Sequence, residues 1–232
     1  FLLAPERPAE LPNGWAFLAL SGVGEQTQRS DLLTAQAVES VLAGSNLGNF
    51  DPSELWLWPL TAGSTPAPQC LAQLLAKFEA TPSAGQIAPK LVDGKNPRII
   101  RGLGVTLTAR GQIFNRVSGE FDQGQHDDID DLLSAPLEGS LLRVETYRQL
   151  GGLTLSLPAQ AQLIDYGVRE RLAGYRTVAA PLATVTLAES PTEPQGKLSQ
   201  ALMSQNALRF LLLPTDRKST RLNSSHVALS RM

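Results

Sequence analysis

The sequence predicts an α/β domain with a parallel sheet covered on both faces, and three observations predict it. Short apolar runs such as Trp15–Leu20 and Leu55–Trp58 have the length of buried strands. The stretches between them carry apolar residues at helical spacing. Strand and helix then alternate along the chain, an order that calls for parallel strands joined by crossover helices. With 232 residues, 42% of them hydrophobic, the chain is long enough to bury a full core.

Trp15-Ala16-Phe17-Leu18-Ala19-Leu20 is the first strand, and Ser21-Gly22-Val23-Gly24 is the loop after it. Asp31 precedes Leu32, Leu33, Ala35, Val38, Val41 and Leu42, a helical pattern closed by Gly44. Leu55-Trp56-Leu57-Trp58 is a second strand, stopped by Pro59. Pro66 and Pro68 lead into Leu71, Leu74, Leu75 and Phe78, an amphipathic helix with proline near its first turn. Ile87–Val92 is a third strand, and Ile99–Leu107 with Ile113–Val117 form a hairpin about Arg110-Gly111. Helices follow over Glu145–Leu150 and Leu163–Ala173, with a strand over Thr177–Ala180. The segments Gly119–Asp131 and Glu189–Gly196 are polar connections.

Composition excludes several functions. Twenty basic residues against 22 acidic ones leave no surplus for a polybasic nucleic-acid binder. The single cysteine, Cys70, excludes a disulfide framework or a multi-cysteine metal site. No apolar run approaches the roughly 20 residues that span a bilayer. Both ends are irregular as sequence. Phe1-Leu2-Leu3-Ala4 has the look of a cut strand, without the basic start of a signal peptide. Asp216-Arg217-Lys218-Ser219-Thr220-Arg221-Leu222-Asn223-Ser224-Ser225-His226 is similar to a translated sequencing adapter, so residues 216–232 are set aside. Without them the net charge moves from −2 to −5, and His126 is the one histidine left.

The polar features each carry a functional and a structural reading. Asp127-Asp128-Ile129-Asp130-Asp131 is either a cation site or a solvated acidic loop; five consecutive positions cannot all face one point, which favours the loop. Asp165 and Arg169 are helical i, i+4 neighbours, read first as a structural pair and second as acceptor-site groups. Trp56 and Trp58 share one strand face and are assigned to the core rather than to base or sugar stacking. Cys70 is a small core residue, His126 a loop histidine, and Gly22-Val23-Gly24 a plain turn too short to cradle phosphate.

Trp56-Leu57-Trp58, Ser64, Pro66-Ala67-Pro68, Leu71 and Leu74-Leu75 together resemble a segment of bacterial, actinobacterial-type family 2 glycosyltransferases. Ala88-Pro89-Lys90 with Asp93, and Gly124-Gln125-His126-Asp127-Asp128, continue the resemblance in register. So do Asp165, Arg169, Arg171 and Ala173-Gly174, while Pro181 resembles the turn before the next strand. The resemblance implies a GT-A fold, a Rossmann-like mixed sheet with helices on both faces, over residues 1–190 of an N-terminally truncated domain. A linker and C-terminal helix, Lys197–Phe210, would fill residues 191–215.

In active relatives Mg²⁺ or Mn²⁺ neutralises the diphosphate leaving group, and a carboxylate deprotonates the acceptor. The positions that the resemblance matches to the metal-binding acids read Ala62 and Gly63, and those matched to the base read Gln162 and Leu163. None has a carboxylate. The later histidine-containing turn is matched by Thr186-Leu187, and the nucleoside loop lacks its aspartate. The expectation is therefore no catalytic residue, no metal ligand and no cofactor, with Ser64, Asp165 and Arg169 as substrate-binding candidates. A nucleotide sugar is a doubtful partner, nucleic acid is not one, and envelope-assembly proteins are candidates. Two classes stay open. One is a glycosyltransferase with non-standard acids, or acids supplied by another part of the protein. The other is a non-catalytic scaffolding or binding module, cytoplasmic and membrane-associated only through a C-terminal part outside this chain.

Overall fold

The computed structural model describes residues 2–3, 38, 42, 51, 55–60, 63–108, 113–157 and 159–187. Strand Trp15–Leu20, the turn at 21–24, Thr61 and Ala62, Arg110-Gly111, the helix over Lys197–Phe210 and residues 216–232 lie outside the described residues. Of the first helix, Val38 and Leu42 are described, helical and buried.

Among the described residues, nine strands join in one sheet and two form a separate hairpin. Strand β1 is Leu2–Leu3, β2 Trp56–Pro59, β3 Thr65–Pro66 and β4 Ala84–Val92. Helix α1, Cys70–Ala80, connects β3 to β4. Strands β5 (Ile99–Gly102), β6 (Val105–Leu107), β7 (Ile113–Asn115), β8 (Glu120–Phe121) and β9 (Asp131–Leu132) follow. The chain continues through β10 (Leu141–Arg143), α2 (Val144–Gln149), α3 (Ala159–Leu172) and β11 (Arg176–Thr186). The main order is β1-β2-β10-β4-β11-β3.

The sheet is mixed, as the GT-A resemblance implies, rather than parallel, as the alternation of elements alone suggests. β4 pairs parallel with β11, and β1 with β2, whereas β10 runs antiparallel to both β2 and β4. The alternation of strands and helices could not reveal β10, because its three residues enter α2 with no turn between them. The expected hairpin is also narrower than the sequence suggests. Val105–Leu107 pairs with Ile113–Asn115, but Ile99–Gly102 belongs to the main sheet, between β4 and β8. Pro181 sits inside β11 rather than in a turn before it. It falls within a register shift between Ala180 and Thr184. A bulge suits a residue with no N–H to give to the ladder.

Every residue of β4 is buried, as expected of a strand covered on both faces. On one side Leu71, Leu74 and Phe78 of α1 pack on Ile87, Leu91, Val178 and Val185. On the other, Ala88 and Ala179 meet Ile100, Leu103, Val117 and Leu132. A third cluster joins Leu57 and Leu142 to Val38, Leu42, Tyr147 and Tyr166. Trp58 is core, its Nε1 donating to the Gly139 carbonyl at 2.7 Å, and half-buried Trp56 meets Phe78 edge-on at 4.5 Å.

Candidate functional site

The chain leaves β2 at Leu60 and reaches Gly63 and Ser64 before β3. Gly63 is an exposed turn residue at φ +84°, a backbone that L side chains adopt at a cost. Ser64 is half-buried. Beside them, the Gly139 N–H bonds the Pro59 carbonyl at 2.7 Å and fixes the end of β2. The position matched to the metal ligand that the structure describes thus carries no side chain.

Helix α3 brings the other matched positions together against the loop after α2. Arg169 and Asp165 form an i, i+4 ion pair at 2.6 Å. The Arg169 guanidinium also donates to the Leu150 and Gly152 carbonyls, and Thr154 Oγ1 donates to Asp165 at 2.6 Å. Gln162, buried, gives its amide to the Leu157 carbonyl at 2.6 Å. Tyr147 accepts the Leu153 N–H at 3.2 Å, so the loop is held at several points along its length. Leu163 is half-buried against the Tyr147–Tyr166 cluster, and its backbone carbonyl accepts from Ser134 Oγ at 2.6 Å. Asp165 and Arg169 are thereby joined with Gln162 in one clasp, whereas Gly63 and Ser64 lie on a different element.

The acidic segment is bound to the fold by cations. Lys90, on β4 and nearly inaccessible, bonds Asp122 at 2.8 and 3.0 Å and Asp127 at 2.7 Å. Burial works against its charge, but these bonds and the two negative charges outweigh it and raise its pKa. Asp122 is correspondingly lowered, the Lys90 bond overcoming its own burial. Asp130 pairs with Lys77 and Arg176, and Asp131 with Arg171 and Arg176. His126 meets Glu120 at 2.9 Å. Among the described residues no three His, Cys, Asp or Glu side chains are grouped to hold a metal ion. Cys70 is buried, and burial pushes its thiol up to about 12, out of reach as a nucleophile.

Reasoning from the sequence missed Lys90 as the centre of this network and Glu170 as a buried acid. The Ala88-Pro89-Lys90 run and the i, i+4 spacing of Tyr166 and Glu170 were visible, but their partners come from distant segments.

No family model matches the chain, and no curated protein matches it. Among solved structures it is similar to the crystal structure of GalNAc-T7 with UDP, GalNAc and Mn²⁺, with a TM-score of 0.53 and 13% sequence identity. The match covers 77% of this chain and about a third (34%) of that one. At that identity the likeness shows the fold, and the fold is a GT-A-like α/β fold of the glycosyltransferase type.

Proposed function

We propose that the chain is a glycosyltransferase-like domain of family 2 ancestry that does not carry out metal-dependent sugar transfer. In this reading it serves as a binding or scaffolding module in cell-envelope polysaccharide assembly. One observation carries it: the α3 positions matched to the catalytic base are occupied by groups committed to structure. Gln162 gives its amide to the Leu157 carbonyl, and Leu163 packs against the core cluster that contains Tyr147 and Tyr166. Neither can take a proton from an acceptor hydroxyl. Gly63 offers no oxygen from a side chain, and in the sequence neither does Ala62. The residues present therefore do not fit the divalent ion that active relatives use, since a hard cation needs several oxygen ligands to displace its water.

GalNAc-T7 was crystallised with UDP, GalNAc and Mn²⁺, which makes a UDP-sugar the natural probe. Calorimetric titration of the chain with UDP-GalNAc, UDP-glucose and a GDP-sugar, each with and without Mn²⁺, tests the proposal. The expected result is no binding that depends on the metal. Binding that appears with Mn²⁺ and disappears on chelation would return the chain to the working enzymes.

A further inference from the structure

Two buried side-chain oxygens among the described residues have no hydrogen-bond partner, Tyr166 Oη and Glu170 Oε1, and both belong to α3. They stand one turn apart on the face that α3 turns to the sheet. Glu170 is fully buried. Its Oε2 accepts from the Thr177 hydroxyl of β11, while Oε1 lies against Gly85 of β4, so close that a Cβ at that position would collide with it. The Thr146 methyl of α2 borders the same Gly85 position. β4, β11 and α2 therefore present a glycine, a hydroxyl and a methyl, none of them charged.

On α3 itself, Arg171 is the cation whose charge reaches Glu170, but its guanidinium is bonded to Asp131 and the Leu132 carbonyl. Arg176, next to Thr177, is bonded to Asp130 and Asp131. Tyr166 is the titratable neighbour on the same face. Tyr175, whose N–H bonds the Glu170 carbonyl, sends its phenol to Gln149. An ionised carboxylate in this pocket would have one bonded oxygen and one bare one.

We propose that Glu170 is a proton-operated catch, which as a neutral acid lets α3 seat on the sheet and on ionising loosens it. Burial supports the same conclusion by pushing the carboxyl up to about 7, the Thr177 bond and Arg171 only partly opposing it. The catch bears on the clasp described above, because Gln162, Asp165 and Arg169 ride on the same helix. It is independent of whether the domain transfers sugar.

Amide hydrogen exchange of the full chain tests it, with exchange in α3 divided by the intrinsic rate of an unstructured peptide at each pH to remove the common base catalysis. The ratio should rise about tenfold or more between about pH 5.5 and about pH 8.5 in the unaltered protein. It should stay flat in Glu170→Gln, which keeps the shape and cannot ionise. A flat ratio in the unaltered protein, or the same rise in Glu170→Gln, overturns the proposal. Should Glu170→Gln not fold, infrared spectroscopy of the unaltered protein decides. A carboxylic-acid carbonyl band that disappears around neutral pH supports the catch, and no such band at about pH 6 refutes it.

Discussion

Arg169 shows how one side chain can fix a stretch of chain that has no regular structure. Its planar fork reaches Asp165, the Leu150 carbonyl and the Gly152 carbonyl at once. Lysine offers a single point charge and cannot reproduce that pattern. Arg169→Ala leaves Asp165 without its cation and two carbonyls without a donor. It should lower stability by about 2 kcal/mol, with the pair partly exposed and partly screened. Urea denaturation checks the magnitude, and Arg169→Lys should recover less than half of it. Glu170 acts in the opposite sense. Its pKa is raised from 4.5 to about 7 in the fold, so its contribution to stability is fully present below the unfolded value and is lost as pH rises through the folded one. The loss falls between about pH 4.5 and about pH 7, and thermal denaturation should show the unaltered protein losing about 3 kcal/mol across that window, a loss absent from Glu170→Gln. Gly63 states a constraint of another kind. At φ +84°, an aspartate introduced there would strain the turn by about 1–2 kcal/mol, so restoring a metal ligand at that position works against the backbone.

At the scale of elements, what the sequence revealed depended on length and on who supplies the partner. β4 was legible because nine buried residues in a row have no solvent face to hide, and α1 because its apolar spacing follows two prolines. The strands β8 and β9 were not, since two residues such as Glu120-Phe121 have no period to read. The acidic run 127–131 reads as a solvated loop in sequence. The structure ties Asp127, Asp130 and Asp131 to cations from four different segments, which no local pattern could announce. The positions matched to the catalytic acids rest on the resemblance alone, and the bonds of Gln162 and Arg169 depend on the loop 150–157 folding back onto α3. Lys90 anchors the loop between β8 and β9. Lys90→Met should leave Asp122 and Asp127 facing each other without a counter-charge and lower stability by about 2 kcal/mol, measured by urea denaturation. Asp127→Asn, at the more exposed end of the same network, should cost less than half as much.

For the whole molecule, the fold is GT-A-like, while the loss of metal-dependent transfer is the proposal. The framework is held by an all-buried β4, Trp58 pinned to Gly139, and α3 clasped to its loop. At the positions that the resemblance matches to the acids of a metal-dependent transfer, the chain has a glycine in a left-handed turn, a glutamine bonded to the Leu157 carbonyl and a leucine packed against the core. Loss of a charge-stabilising group and of a general base each costs about 10²–10³-fold in rate, so in the proposed reading their combined absence would put transfer below detection. The most direct measurement is release of nucleoside diphosphate from UDP-GalNAc, UDP-glucose or a GDP-sugar by the chain in the presence of Mn²⁺. The account predicts release no faster than in buffer with Mn²⁺ alone. Release that scales with protein concentration and stops when Mn²⁺ is chelated would contradict it.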